Sequence, residues 1–219
     1  MPPTKQSHWE IDKIRLLYVG RLEREKSIGR ILDVMDDTMC LVVVGKGQQG
    51  PELSRMAQGR GLDVRFIGAV PHDELPEWYC STDFFIMPSG SETLGFTTLE
   101  AMACGVVTMG FAAGGTLDII QDQQTGLLWS STDELRDLIT HIYPKTRFRQ
   151  KMGHAAELRY SQYTIEASTE DLVRTYDRLI NESPTHVVLS GMFGTLPCYA
   201  LLCFVYMLER VLDVVSIVW

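Results

Sequence analysis

No Asp-x-Asp triplet, no Cys-x-x-Cys pair and no His-Glu-x-x-His box occurs in the 219 residues of this chain. The first absence removes the simplest acidic clamp for a metal-bound diphosphate. The other two remove the usual zinc-ligand spacings. Cysteine is sparse, with residues only at 40, 80, 104, 198 and 203. That pattern makes no disulfide framework and suits a reducing compartment. Positive charge is also short: 20 Lys and Arg stand against 28 Asp and Glu, for a net charge of −8. With no basic stripe interleaved by aromatics, this charge argues against nucleic acid as a partner. There is no internal repeat and no low-complexity tract. The opening MPPTKQSHWE is neither a signal peptide nor an Arg/Ser-rich transit peptide.

Apolar residues make up 45% of the chain, enough for a core, and the length suits one α/β domain plus an appendage. Short runs rich in aliphatic, β-branched and aromatic residues predict strands at 14–19, 39–44, 64–67, 84–87, 106–109 and 126–129. Helical spacing or helix-start signals fall between them, at 28–35, from Pro51, at 72–80, from Phe96, at 116–121 and at 132–143, with further helix to about 181. Such alternation predicts a parallel, doubly wound α/β sheet.

The stretch Pro88–Gly105, PSGSETLGFTTLEAMACG, is the richest in chemistry. It leaves a buried strand, crosses a small polar loop and enters a helix at about Phe96, which Gly105 should end in a left-handed conformation. The amides of about Thr97, Thr98 and Leu99 then form a helix N-terminus at the carboxyl edge of the sheet, a place that favours a phosphate. Glu92 and Glu100 flank it, with seven residues between them. Two acids would repel a phosphate unless they hold something else, and sugar hydroxyls are the natural donors. Phosphate plus hydroxyls points to a nucleotide sugar. The alternative is a solvated helix acid and a loop acid of no special role.

Gly20-Arg21-Leu22-Glu23-Arg24-Glu25-Lys26 follows the first strand and places Arg21 and Lys26 at the same sheet edge. Gly45-Lys46-Gly47-Gln48-Gln49-Gly50 spells GxGxxG after the second strand. A dinucleotide fingerprint would follow the first strand and would need an acid after the next one. The next strand runs into Phe66-Ile67-Gly68-Ala69-Val70 without one, so a nicotinamide-dependent oxidoreductase is disfavoured.

Glu92-x7-Glu100, with Gly95-Phe96 between and Ala101-Met102-Ala103-Cys104-Gly105 after, resembles the E-x7-E motif of retaining glycosyltransferases of family 4, which have the two-halved GT-B fold. Cys104 replaces a typically small residue. The wording is most similar to that of sulfolipid synthases, the sulfoquinovosyltransferases acting on diacylglycerol. The resemblance covers about residues 14–182 and implies a Rossmann-like, donor-binding GT-B half. Such enzymes are nearly twice as long, so the chain is expected to be a fragment or a subunit of a split enzyme, its acceptor half lying elsewhere.

The resemblance implies donor contacts from Gly20, Arg21, Lys26, Gly45, Gly47, Val70, Glu92, Gly95, Phe96, Thr97, Thr98, Leu99 and Glu100. Arg21 and Lys26 would take the donor diphosphate, main-chain groups near Val70 the base, Glu100 the ribose and Glu92 the sugar ring. Glu92, Arg21 and Lys26 are the expected catalytic residues. Two cations and a helix N-terminus can stabilise the leaving group without a metal, so no metal or cofactor is expected beyond the UDP-sugar substrate. The loop Ala113-Gly114-Gly115-Thr116 either lines the pocket or only turns the chain.

Beyond this domain, residues 187–208 form 22 uncharged positions, long enough to cross a bilayer, followed by a tail at 209–219; residues 1–13 make an N-terminal tail. Arg174 and Arg178 precede the run and Arg210 follows it. That weak bias predicts a membrane-associated protein with its catalytic domain on the cytosolic or stromal (chloroplast) side. A membrane segment suits a lipid acceptor. A non-catalytic nucleotide-sugar-binding module is the rival reading, and a GT-B epimerase has nothing here to favour it.

Overall fold

Six runs of β-branched, aliphatic and aromatic residues form strands in the computed structural model, which describes residues 12–182. They are β1 (Ile14–Val19), β2 (Met39–Val44), β3 (Val64–Gly68), β4 (Phe84–Met87), β5 (Val107–Phe111) and β6 (Leu127–Trp129). Every residue of β2 and β4 is buried, as expected of strands covered on both faces. The helices are α1 (Gly29–Val34), α2 (Gly50–Gly59), α3 (Leu75–Cys80), α4 (Phe96–Ala103), α5 (Thr116–Ile119), α6 (Thr132–Ile142), α7 (Thr146–Tyr160) and α8 (Ile165–Glu182). The chain divides into two units at Thr169, inside α8, and the sheet with all its loops lies in the first.

All strand pairings are parallel, in the order β3-β2-β1-β4-β5-β6. Alternation along β1 assigns the two faces. Ile14, Leu16 and Tyr18 join a core under α1, α2 and α6, while Leu17 and Val19 join one under α3 and α4. A third cluster, with Leu99, Met102, Ile119, Ile120 and Ala156, ties α4 and α5 to α7. This is the expected doubly wound α/β sheet. Its winding reverses between β1 and β4, so the crevice outside their carboxyl ends is where such sheets take ligands.

At the opposite, amino edge, Asp83 is clamped by Arg15 at 2.9 Å and by Arg149 at 3.0 Å. Burial alone would raise the Asp83 carboxyl, but the hydrogen bonds from Arg15 and Arg149 outweigh it and hold it below its ordinary range.

Small differences from the sequence reading have physical causes. The fifth strand was expected at 106–109 but runs on through Gly110 to Phe111. Gly110 is no strand-breaker here. A Cβ on it would lie 2.3 Å from Thr116 Cγ2, so the glycine lets α5 lie against the strand. The helix expected at 72–80 opens as a 3-10 turn, His72–Glu74, and becomes α-helical only from Leu75. Pro76, in the first turn of α3, has no N–H to continue a helix from upstream. The uncharged run 187–208, the tail 209–219 and residues 1–11 lie outside the described residues. Among the described residues, no helix is long and apolar enough to cross a membrane.

Candidate functional site

The loop after β1 begins at Gly20, whose N–H donates to the Val44 carbonyl at 3.0 Å, so the β1 and β2 exits run side by side. Gly45 and Gly47 permit this closeness. Cβ atoms there would lie 1.9 Å from the Gly20 carbonyl oxygen and 2.4 Å from that of Leu22. The two glycines also line a cleft of ≈ 400 Å³ with Lys46, Ser54, Phe66 and Ile67. Their small size thus serves backbone packing against the neighbouring loop. Tyr18, fully buried at the end of β1, donates its hydroxyl to the Arg21 carbonyl at 2.9 Å. Burial, and then the nearby Glu92 charge, push that phenol above its ordinary value, so it stays a donor.

Lys26 ends the 3-10 turn Arg24–Lys26, and its ammonium lies 2.5 Å from Glu92 Oε1. Lys26 and Glu92 are 17% and 11% exposed at their side chains, so this pair from two loops is largely withdrawn from water. Arg21 is placed differently. It pairs with Glu25 at 3.3 Å with 71% of its side chain exposed. The structure therefore brings Lys26 to Glu92 and leaves Arg21 at the rim.

The Glu92 loop is held from beneath. Ser89 is fully buried, and its hydroxyl reaches the Glu25 carbonyl at 3.2 Å. Arg30 donates to the Pro88 carbonyl at 3.2 Å and stacks over Phe111 at 4.0 Å. The loop at 113–116, whose role the sequence left open, is a second support. Gly115 N–H donates to the Glu92 carbonyl at 2.7 Å, and a Cβ on Gly115 would fall 1.9 Å from the Thr93 carbonyl oxygen.

Helix α4 starts at Phe96 behind Gly95, which sits at φ +59° in the left-handed region. The Thr98 and Leu99 amides both donate to the Gly95 carbonyl, at 2.9 and 3.2 Å. The uncommitted amides are those of Phe96 and Thr97, which meet no acceptor among the described residues. Of the amides expected at 97–99, only the first is free, and the free pair lies one residue earlier. The reason is local: Gly95 is the N-cap, so the third and fourth helical amides close the first turn. Thr98 Oγ1, buried in the same turn, is also without a partner. Phe96 presents an exposed ring at the helix start.

Glu100 occupies a separate setting on the second turn of α4. Tyr79 donates its hydroxyl to Oε2 at 2.7 Å, and His72 Nε2 lies 3.1 Å from Oε1. Glu92 and Glu100 thus face different partners, Glu92 toward the loop after β1 and Glu100 toward the segment after β3. Val70 lies in that segment and packs on the α3 face of the sheet, its main-chain groups making no backbone hydrogen bond among the described residues. The helix ends as expected, with Gly105 left-handed at φ +66°. Burial, and then the neighbouring Cys80, push the Cys104 thiol up to about 12.

Sequence reasoning missed Tyr18, His72, Tyr79, Ser89, Arg30 and the support given by Gly115. None carries a local signal, because each acts through a partner remote in the chain or through the main chain. Only the Gly114-Gly115 pair was visible, as a loop that either lines the pocket or turns the chain.

The glycosyl transferases group 1 family matches residues 4–159. Sulfoquinovosyl transferase SQD2 of Arabidopsis thaliana is 34% identical over 171 residues, covering 74% of this chain and 33% of the relative. D-inositol 3-phosphate glycosyltransferase of Kribbella flavida is 29% identical over 184 residues, covering 75% of this chain and 43% of the relative. The crystal structure of Anabaena Alr3699/HepE in complex with UDP and glucose superposes with a TM-score of 0.69 at 21% identity, covering 77% of this chain and 49% of that one. The chain therefore spans about a third to a half the length of these proteins. By its match and its sheet, it belongs to the group 1 glycosyl transferases, as the C-terminal half of a GT-B fold.

Proposed function

We propose that this chain is the donor-binding half of a retaining hexosyltransferase, taking a UDP-sugar and serving a membrane-lipid acceptor such as diacylglycerol. The observation that carries the reading is the Lys26–Glu92 contact beside the free Phe96 and Thr97 amides at the point where the sheet reverses its winding. Cation and amides belong to the loops after β1 and β4, which leave the carboxyl edge where a diphosphate would lie, and Glu92 would take its sugar end. As the bond from the anomeric carbon to phosphate oxygen breaks, its electron pair leaves with UDP. Lys26, the α4 amides and a swung-in Arg21 take up that charge. The acceptor oxygen bonds to the anomeric carbon on the same face, and its proton passes to the departing phosphate. Glu92 stabilises the positive charge that develops in between. Glu100 holds the ribose hydroxyls.

The UDP and glucose named with the Anabaena structure support a UDP-hexose donor. The name of the Arabidopsis relative supports sulfoquinovose as the sugar, and the uncharged run 187–208 supports a lipid acceptor and a membrane-associated chain facing the cytosol or stroma. The Kribbella relative, named for D-inositol 3-phosphate, is the counterweight on the acceptor. Titration calorimetry with UDP tests the donor site. Glu100→Ala is expected to loosen UDP about 10-fold, the value of a hydrogen bond to a charged group. An unchanged affinity overturns the ribose assignment.

The rival reading is a nucleotide-sugar-binding module without transferase activity. Adding an acceptor half in trans and assaying sugar transfer to lipid separates the two.

A further inference from the structure

The two oxygens of Glu100 have unlike partners. Tyr79, at Oε2, is 1% exposed, whereas the His72 side chain at Oε1 is 82% exposed. Tyr79 is locked in place. Its ring meets Phe85 edge-on at 5.5 Å, in the core between α3 and the sheet. His72 sits in a 3-10 turn at the surface and can rotate into water. Burial, and then the Glu100 charge, hold the Tyr79 phenol above its ordinary value, so its proton stays on the hydroxyl and points at the carboxylate.

One oxygen thus has a buried partner and the other a solvent-exposed one. A Glu side chain on a helix surface has three torsions to order before it can grip a diol. Ordering them in the free protein removes that cost from binding. We propose that Tyr79 is a positioning residue for the sugar nucleotide: it holds Glu100 through Oε2 and thereby presents Oε1 to the ribose hydroxyls, which displace His72. This rests on the reading of Glu100 as the ribose-binding acid.

Tyr79→Phe removes only the hydroxyl and keeps the ring against Phe85. Calorimetry on the full chain compares UDP with 2′,3′-dideoxy-UDP for the native protein, Tyr79→Phe and Glu100→Ala. The native chain should prefer UDP, and Glu100→Ala should abolish the preference. Tyr79→Phe should loosen UDP by about 5- to 10-fold while leaving dideoxy-UDP unchanged. A merely structural role for Tyr79 would weaken both ligands alike and would overturn the proposal, as would a Tyr79→Phe variant that keeps the native preference. If the native chain binds both ligands equally, the ribose reading of Glu100 fails and the proposal fails with it.

Discussion

Lys26 and Glu92, separated by 66 residues in sequence, meet at 2.5 Å with little of either side chain exposed. The pair joins the loop after β1 to the loop after β4, across the reversal of the sheet. Glu92 therefore satisfies the cation that the proposed function assigns to the diphosphate. On the proposed function, the two part, or share, when the donor enters.

This competition separates the roles of the two residues. Lys26→Ala is expected to weaken UDP binding by about 10- to 100-fold, the scale of a lost charge-assisted hydrogen bond in a partly buried site. Glu92→Ala should leave UDP affinity unchanged or raise it by up to about 3-fold, because it frees the ammonium. Its loss should fall on turnover. Calorimetry with UDP checks both variants. Equal losses from the two would end the division of roles.

Gly115 makes a sharper structural test. Its missing Cβ would stand 1.9 Å from the Thr93 carbonyl oxygen. Gly115→Ala must push back the loop that carries Glu92, at a cost of about 1–3 kcal/mol. Thermal melting should show the loss, and affinity for a UDP-sugar should fall with it. Gly59 lies at the end of α2, where an added Cβ would meet nothing within 4 Å. Gly59→Ala should leave both measurements unchanged or gain up to about 1 kcal/mol in stability.

Asp83 predicts the acid limb of stability. Its folded carboxyl is held below the ordinary value by Arg15 and Arg149. The stabilisation is present in full above the unfolded value, about pH 4, and is lost as pH falls from there through the folded value. Asp83→Asn should cost about 2–4 kcal/mol at pH 7, where it leaves two arginines short of a partner. The difference from the native protein should shrink on acidification below about pH 4. Melting curves across this range check the sign. A difference that stays constant would mean that Asp83 acts only through packing.

Cys104 and Cys80 should differ in reactivity. A thiol raised to about 12 is about one part in 10⁴ thiolate at pH 8, and Cys104 is also partly buried, whereas Cys80 is exposed. Brief alkylation of the native chain at pH 8, read by peptide mass spectrometry, should modify Cys80 and spare Cys104 until denaturant is added. Equal labelling would show that the end of α4 opens readily.

Much of the fold was legible in the chain of residues alone. The alternation of apolar strands with 3.6-period helices is local, and so are Gly105 as a helix stop and Pro51 at a helix start. The acids Glu92 and Glu100 were visible through their spacing, as were the Arg21 and Lys26 cations after the first strand. All of these depend on neighbours a few residues away, where backbone sterics and side-chain periodicity act directly. The tertiary structure alone decided which groups meet. It put β1 beside β4, and so Lys26 against Glu92. It placed Tyr79 and His72 on the two oxygens of Glu100, and pressed Gly115 under Thr93. It also moved the free amides to Phe96 and Thr97, because a left-handed Gly95 set the first turn. Contacts such as Lys26 with Glu92 span 66 residues and depend on the order of strands in the sheet. Strand order comes from burying both faces of the whole sheet at once, which no single stretch of sequence encodes.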